Sequence, residues 1–287
     1  MATVFYDKAA VEVTHNGVSE QLLATDCSLS FSSAQAPLYA IGSKGTLGQF
    51  PAGARQGDLS FSFLTTITGT YFGVNGNIIN SLASGIKEAA ANNSEVSGVE
   101  IRFAGVTGSG YLNSYGVGIQ GNSVSSSSCG FTFFGSGTQL PVTGRLDDFA
   151  GQTIQTGKLA TGVAHGRYTN LDNFATSLTA GESSAANVFG ADYSITFNHN
   201  PVYKMGQEFP MTCLYTNAQE TLGLTEDIFQ SGLAFDPGAN NLVLTVSGLG
   251  GNYGMEIGLS GAKEVSTAMS AGMDDIVRTQ KNLTAVY

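Results

Sequence analysis

The sequence predicts a mainly β protein made of two tandem antiparallel β-sandwich or barrel modules, each with one flanking helix. Three observations lead to this prediction. Apolar and polar residues alternate along most of the chain, the 38 glycines cluster where hairpins must turn, and a series of segments occurs twice in the same order. We expect the first module at residues 1–140, a connector at 141–160 and the second module at 161–287.

The repeated segments indicate that one module has been duplicated. Each copy has an alternating strand that starts at an aspartate, then the pattern proline, aliphatic, tyrosine, any residue, aliphatic, glycine, then a Phe-Pro pair, and later another strand. In the first copy these are residues 26–31, the motif residues Pro37, Tyr39 and Gly42, the pair Phe50 and Pro51, and residues 101–105. In the second copy they are residues 192–197, the motif residues Pro201, Tyr203 and Gly206, the pair Phe209 and Pro210, and residues 244–248.

One helix is expected in each module. Residues 77–91 carry apolar residues at helical spacing, with Asn77 as a possible N-cap and two asparagines after residue 91 to end the helix. Residues 221–230 place Leu224, Ile228 and Phe229 on one helical face, which predicts the second helix.

Composition excludes several classes of function. Only 12% of residues are charged, and 22 acidic against 12 basic residues give a net charge of −10. Such a chain lacks the Lys and Arg needed to bind nucleic acid or an anionic membrane. A low surface charge favours a subunit that is largely covered by copies of itself.

Chemical motifs are weak throughout the chain. Cys27, Cys129 and Cys213 are odd in number and far apart, so we expect buried free thiols rather than disulfides or a zinc site. His199 precedes Pro201 in a predicted turn, where a solvated side chain is expected. The adjacent acids Asp147-Asp148 and Asp274-Asp275 diverge on either a strand or a helix, unlike a working carboxylate pair. We therefore expect no enzyme activity, no cofactor and no metal.

The repeated motif residues resemble those of the tail tube proteins of tailed bacteriophages, in which a similar stretch precedes a strand that lines the tube. The resemblance implies β-barrel modules that join through sheet edges into stacked rings, contact other tail, baseplate or sheath proteins, and let DNA pass without specific binding. Two modules in one chain imply a homotrimeric, pseudo-hexameric ring rather than a hexameric one. The implied location is the virion tail, after assembly in the host cytoplasm, with no membrane partner.

A negatively charged channel wall would repel DNA phosphates and let the genome slide. Four acids in strand-like segments are our candidates for this wall: Glu12, Asp58, Glu100 and Glu256. Other interpretations remain open: a baseplate hub, a tail initiator, a receptor-binding or adhesin-type β protein, or a β-fold hydrolase that uses the adjacent aspartates. The absence of tryptophan weakens the carbohydrate-binding version.

Overall fold

The structure of the protein is a computed structural model. It describes the chain at residues 11–42, 44–52, 54–67, 69–136, 139–144, 163–173, 188–207, 209–227, 239–248, 254–270 and 278–287. The mainly β prediction is confirmed, because strands make up most of these residues.

The described part of the first half contains thirteen strands and one helix. They are β1 (Val11–His15), β2 (Val18–Leu22), β3 (Ala24–Ser32), β4 (Gln35–Leu38), β5 (Gly48–Pro51), β6 (Gln56–Leu64), β7 (Gly69–Tyr71), β8 (Val74–Gly76), α1 (Ile78–Ala91), β9 (Glu95–Val96), β10 (Val99–Phe103), β11 (Val106–Gln120), β12 (Ser126–Phe134) and β13 (Val142–Gly144). The strands of the second half are longer. They are β14 (Ala164–Asn173), β15 (Val188–Val202), β16 (Thr212–Asp227), β17 (Ala239–Gly248), β18 (Gly254–Ser270) and β19 (Arg278–Val286).

One antiparallel sheet of 15 strands runs through the described parts of both halves. In the first half β3, β6, β12, β11 and β10 are neighbours in that order, and in the second half β15, β16, β19, β18 and β17 follow the same order. The two halves meet where β11 pairs with β15. Each strand of the first series therefore has a counterpart in the second.

The predicted helix at residues 77–91 is confirmed as α1. Asn77 caps its first turn by accepting a hydrogen bond from the Asn80 N–H at 2.9 Å, and the buried carboxylate of Glu20 accepts one from the Ile78 N–H at 2.7 Å. Both oxygens accept hydrogen bonds from N–H groups that have no partner within the helix. The negative charge of Glu20 also interacts favourably with the positive end of the helix dipole. The helix ends at Asn92, as its sequence indicates.

Helix α1 contacts both halves of the sheet. It packs on β11 of the first half and on β15 and β16 of the second. Lys87 donates to Glu220 Oε1 at 3.1 Å and to the Gly258 carbonyl at 2.6 Å, and the fully buried Glu220 also accepts from the Tyr193 hydroxyl at 2.7 Å. The helix is thus bound to the second half by a buried polar network.

The second predicted helix is wrong over the part that the structure describes. Residues 221–227 belong to β16, where Leu222 and Leu224 point into the core and Thr221 points away from it. Strand β16 is paired on both edges, with β15 and with β19, and this pairing overrides a short helical spacing. Residues 228–230 lie outside the described residues.

A continuous core joins the two halves. Within the first half, Phe61 and Phe131 stack with their ring centroids 6.2 Å apart. Across the two halves, Tyr115 packs against Tyr193 with their ring centroids 6.3 Å apart. Of the predicted connector, residues 142–144 form β13 on the edge of β11, and residues 145–160 lie outside the described residues.

Candidate functional site: the polar face

The feature that best indicates function is one side of the sheet, which we call the polar face. It is the side of β3, β6, β12, β11, β15, β16, β19 and β18 that points away from the core. Strand alternation places mostly small polar residues there in rows that run across the strands, and the central row crosses all eight. The central row consists of Asp26, Ser62, Ser128, Gly116, Ser194, Thr221, Thr284 and Lys263.

The flanking rows are mostly polar too, with Leu64 on β6 and Val286 on β19 as apolar members. One contains Ser126, Gly118, Asp192, Gly223, Asn282 and Ser266, and the other contains Ser28, Ser60, Ser114, Thr196 and Gln219. Neighbouring hydroxyls pair across strands, with 2.8 Å between Ser28 Oγ and Ser60 Oγ and 2.6 Å between Ser194 Oγ and Thr221 Oγ1. These hydroxyl groups therefore satisfy one another, without charge.

Glycines flatten the middle of the polar face. A Cβ atom added at Gly116 would lie 3.0 Å from Ser128 Oγ, and one added at Gly118 would lie 3.4 Å from Asp192 Oδ1. Two shallow, open depressions of about 330 and 240 Å³ lie on either side of the segment from Asp192 to Ser194. Polar groups line most of the larger depression, and Asp192 borders both.

This face carries the acidic side chains Asp26, Asp58 and Asp192 against the basic side chains Lys263 and Arg278. Asp26 and Asp192 occupy equivalent positions of the two halves, because each is the first residue of a repeated strand segment. Basic residues lie towards the far edge, with Lys263 on β18 and Arg278 on β19, whose guanidinium lies 5.2 Å from the ring centre of Phe189.

The four acids predicted for a channel wall are separated by the structure. Asp58 lies on the polar face, opposite Ser30, and accepts a hydrogen bond from Thr132 Oγ1 at 3.0 Å. The other three lie on strands or strand segments away from the rows defined above. Glu12 is opposite Arg102 on β1 and β10, Glu100 is opposite Thr14, and Glu256 is opposite Thr245 on β17 and β18.

Sequence reasoning missed Asp26 and Asp192 as candidates for this surface. Both were visible in the repeat, since each begins an alternating segment whose second, fourth and sixth residues are apolar. That alternation already placed the aspartate on the side opposite the core.

The motif residues of the two halves lie in two similar hairpins. Pro37 is opposite Gln49 and Pro201 is opposite Cys213, and each hairpin is closed by one backbone hydrogen bond, from Leu47 N–H to Leu38 O at 2.8 Å and from Met211 N–H to Val202 O at 3.0 Å. Both loops therefore span ten residues. Gly42 and Gly206 turn them with φ of +91° and +83°, a conformation that favours glycine.

Both hairpins expose apolar side chains. In the first, Tyr39, Ile41, Leu47 and Phe50 are exposed, and in the second, Tyr203, Met205, Phe209 and Met211 are exposed. Ile41 and Met205 occupy the same position of the motif, one residue before the glycine, and neither is covered by any other part of the described chain. Exposed apolar side chains grouped in this way mark contact surfaces.

The Phe-Pro pairs are not structurally equivalent. Phe50 and Pro51 belong to β5, where they are opposite Ala36 and Gln35. Phe209 and Pro210 precede β16, which begins at Thr212. The first pair thus lies in the strand after the hydrogen bond that closes its hairpin, whereas the second pair lies in the loop before that bond.

His199 does not lie in a solvated turn, contrary to the sequence-based expectation. It belongs to β15, opposite Tyr215, and its ring lies 5.5 Å from the Tyr215 ring centre and 5.8 Å from that of Phe134. Removal from water lowers the pKa of His199 from its ordinary value of 6.5, although a backbone hydrogen bond and the nearby Asp58 act in the opposite direction.

The cysteines lack a common site. Cys129 and Cys213 are buried, Cys27 is partly buried, and all three are free thiols, as predicted. Burial raises the pKa of Cys27 and Cys213 to about 12, so their thiolate forms are scarce at neutral pH. The described ranges contain no cluster of His, Cys, Asp and Glu suited to a metal ion. Asp147-Asp148 and Asp274-Asp275 lie outside the described residues.

The described residues also include no helix with the length and hydrophobicity needed to cross a bilayer. Neither a protein-family model nor a curated protein matches the chain at a significant level.

Proposed function

We propose that the chain is a structural subunit of a bacteriophage tail tube, which forms stacked rings around a channel through which DNA enters the host. The observation that carries this proposal is the polar face. It extends across eight strands of both halves and offers hydroxyl, amide and glycine groups with a few aspartates.

A channel for DNA must present a surface that does not hold DNA. Phosphates bind to Lys and Arg, and bases stack on exposed aromatic rings. The three rows of the polar face contain neither an aromatic residue nor an arginine, and Lys263 lies at their far end. Asp26 and Asp192 add negative charge, which repels phosphates.

The two exposed hairpins support stacking of the rings. Their apolar tips at Ile41 and Met205 would be unfavourable in water and become buried when one ring contacts the next. Two hairpins in each chain, at equivalent positions of the two halves, suit a ring in which three chains provide six similar modules.

Electron microscopy of the purified protein, together with its mass in solution, tests the proposal. We expect rings or tubes with a central hole, a six-fold appearance and three chains in each ring. Six chains in each ring would keep the tube and contradict the module count. A monomer that stays compact at all concentrations, without polymerising on tail structures added as seeds, would contradict the function and favour an adhesin or an enzyme.

A further inference from the structure

The joint between the two halves shows how one half recognises the next. Strand β11 pairs with β15 through four rows on the polar face, from Ser114 opposite Thr196 to Gln120 opposite Gly190. In the middle of this joint, Gly118 is opposite Asp192. We call this pairing the internal joint.

Each strand of the internal joint has a counterpart whose corresponding edge is open. The counterpart of β15 is β3, which pairs with β6 on one edge. The counterpart of β11 is β18, which pairs with β19 over its residues 263–270 and with β17 over its residues 254–263. Within the described residues, no strand pairs with the second edge of β3 or with the corresponding edge of β18 beyond Lys263.

The apolar residues at these two edges are also exposed where their counterparts are buried. Phe31 on β3 is 46% exposed, whereas its counterpart Phe197 on β15 is 4% exposed. Met269 on β18 is 55% exposed, whereas its counterpart Ile119 on β11 is 3% exposed. An open edge with exposed apolar residues is a template for pairing with another strand, and the internal joint specifies which strand that is.

We propose that the edge of β18 in one copy pairs with β3 of the next copy in the register of the internal joint, so that copies join head to tail. The counterparts of Gly118 and Asp192 are Ala268 and Asp26, because each lies in the same row as its equivalents on the intervening strands. Ala268 is therefore opposite Asp26 of the next copy, and Ser266 is opposite Ser28, as Gly116 is opposite Ser194 in the internal joint. The inference rests on the proposed self-assembly and names the surfaces that perform it.

A head-to-tail joint of this kind continues the polar face without interruption. The rows of one copy run from Asp26 on β3 to β18, and the rows of the next copy begin again at its own β3. Such a heterologous contact forms a closed ring if its rotation closes, and an open filament if it does not.

Cysteine pairs test the register. Chains that carry both Asp26→Cys and Ala268→Cys are allowed to assemble and are then oxidised, and the product is analysed on a non-reducing gel. Directly opposed residues on antiparallel strands have Cα atoms about 5 Å apart, which permits a disulfide. We expect links between chains that extend to a closed covalent ring. Gly118→Cys with Asp192→Cys is the positive control, since it places the same link within one chain.

A matched pair out of register provides the negative control. Ser30 lies four residues from Asp26 on β3, so Ala268→Cys with Ser30→Cys separates the two positions by about 13 Å. This pair should link poorly, and the unaltered chain should give only background because its own thiols are buried or partly buried. If Asp26→Cys with Ala268→Cys does not assemble in its reduced form, Ser28→Cys with Ser266→Cys tests the neighbouring row.

The outcomes separate this inference from the proposed function. Assembly without links from either in-register pair, or with equal links from the out-of-register pair, overturns the joint and leaves the tube proposal standing. Links that close at three chains support both. Links that close at another number support the joint and contradict the three-chain ring. A chain that never assembles overturns both.

Discussion

Ser194 Oγ and Thr221 Oγ1 lie 2.6 Å apart across β15 and β16, and Ser28 Oγ and Ser60 Oγ lie 2.8 Å apart at the corresponding position of β3 and β6. Both pairs are on the polar face, and each pair is one row from an aspartate, Asp192 or Asp26. The same uncharged pairing therefore occurs once in each half, and it helps to make a wide surface that is polar but almost free of cations.

A positive charge on the polar face should make the assembly retain DNA. Asp192→Arg replaces a repelling charge with an attracting one in every copy, so we expect binding that weakens steeply as the salt concentration rises. Co-sedimentation of assembled protein with duplex DNA at low and high salt measures this. Asp192→Asn is the control, because it removes the negative charge without adding a cation. An arginine variant that remains inert, or wild-type protein that binds DNA, would contradict the proposed wall.

Loss of the Lys87 ammonium should strongly destabilise the fold. Lys87→Met leaves the buried Glu220 carboxylate without its cation, which typically costs about 3–5 kcal/mol of unfolding free energy. Denaturant titration measures the change. The double variant Lys87→Met with Glu220→Gln should recover part of the loss, because the buried group is then neutral. Glu88→Gln, an exposed neighbour on α1, should change stability by less than about 0.5 kcal/mol. Equal effects at Lys87 and Glu88 would rule out a structural role for the network.

The two elements joined by this network, α1 and β16, differ in how far the sequence predicted them. Helix α1 was predictable because its cap, its apolar spacing and its end all lie within 16 consecutive residues, from Asn77 to Asn92. The end of β16 was mistaken for a helix because its strand conformation depends on pairing with residues 188–194 of β15 and 278–284 of β19, which lie outside the local pattern. No local pattern showed that one helix would pack on both halves through Lys87 and Glu220.

The polar face was only partly predictable for a similar reason. Alternation in residues 26–31 and 192–197 indicates which side chains face away from the core, but not which strands stand beside them. Asp58 could be chosen as a wall residue from its strand alone. Glu12, Glu100 and Glu256 share that local pattern, and only the strand order separates them from the central rows.

Acid should destabilise the protein partly through His199. Because burial lowers the pKa of this imidazole in the folded state, the unfolded chain takes up a proton at higher pH than the folded chain does. Protonation of His199 therefore does not reduce the free energy of unfolding above pH 6.5. Below that value the free energy of unfolding falls as the pH drops through the folded-state pKa. His199→Gln should flatten this part of the stability curve.

Denaturant midpoints measured from neutral pH into mild acid test the effect. His15, whose pKa is also lowered by burial, gives the matched comparison through His15→Gln. If His199→Gln leaves the slope of stability against pH unchanged, burial of His199 does not govern it.

Two glycine substitutions should change stability in opposite directions. Neither a Cβ at Gly206 nor one at Gly85 would meet any atom within 4 Å, so packing plays no part at either position. Gly206 has φ of +83°, and alanine there should cost about 1–2 kcal/mol. Gly85 lies inside α1, where alanine should add up to about 1 kcal/mol. Thermal unfolding distinguishes the signs, and stabilisation by Gly206→Ala would show that the hairpin does not require its left-handed turn.

The orientation of the polar face within an assembly tests the central claim most directly. A cryo-electron microscopy map of the assembled protein, at a resolution that traces strands, would place Asp26, Ser194 and Asp192 relative to the central hole. We predict that the rows containing these residues line the channel and continue from each chain to the next. A map in which they face outwards, or lie buried between rings, would contradict the tube proposal.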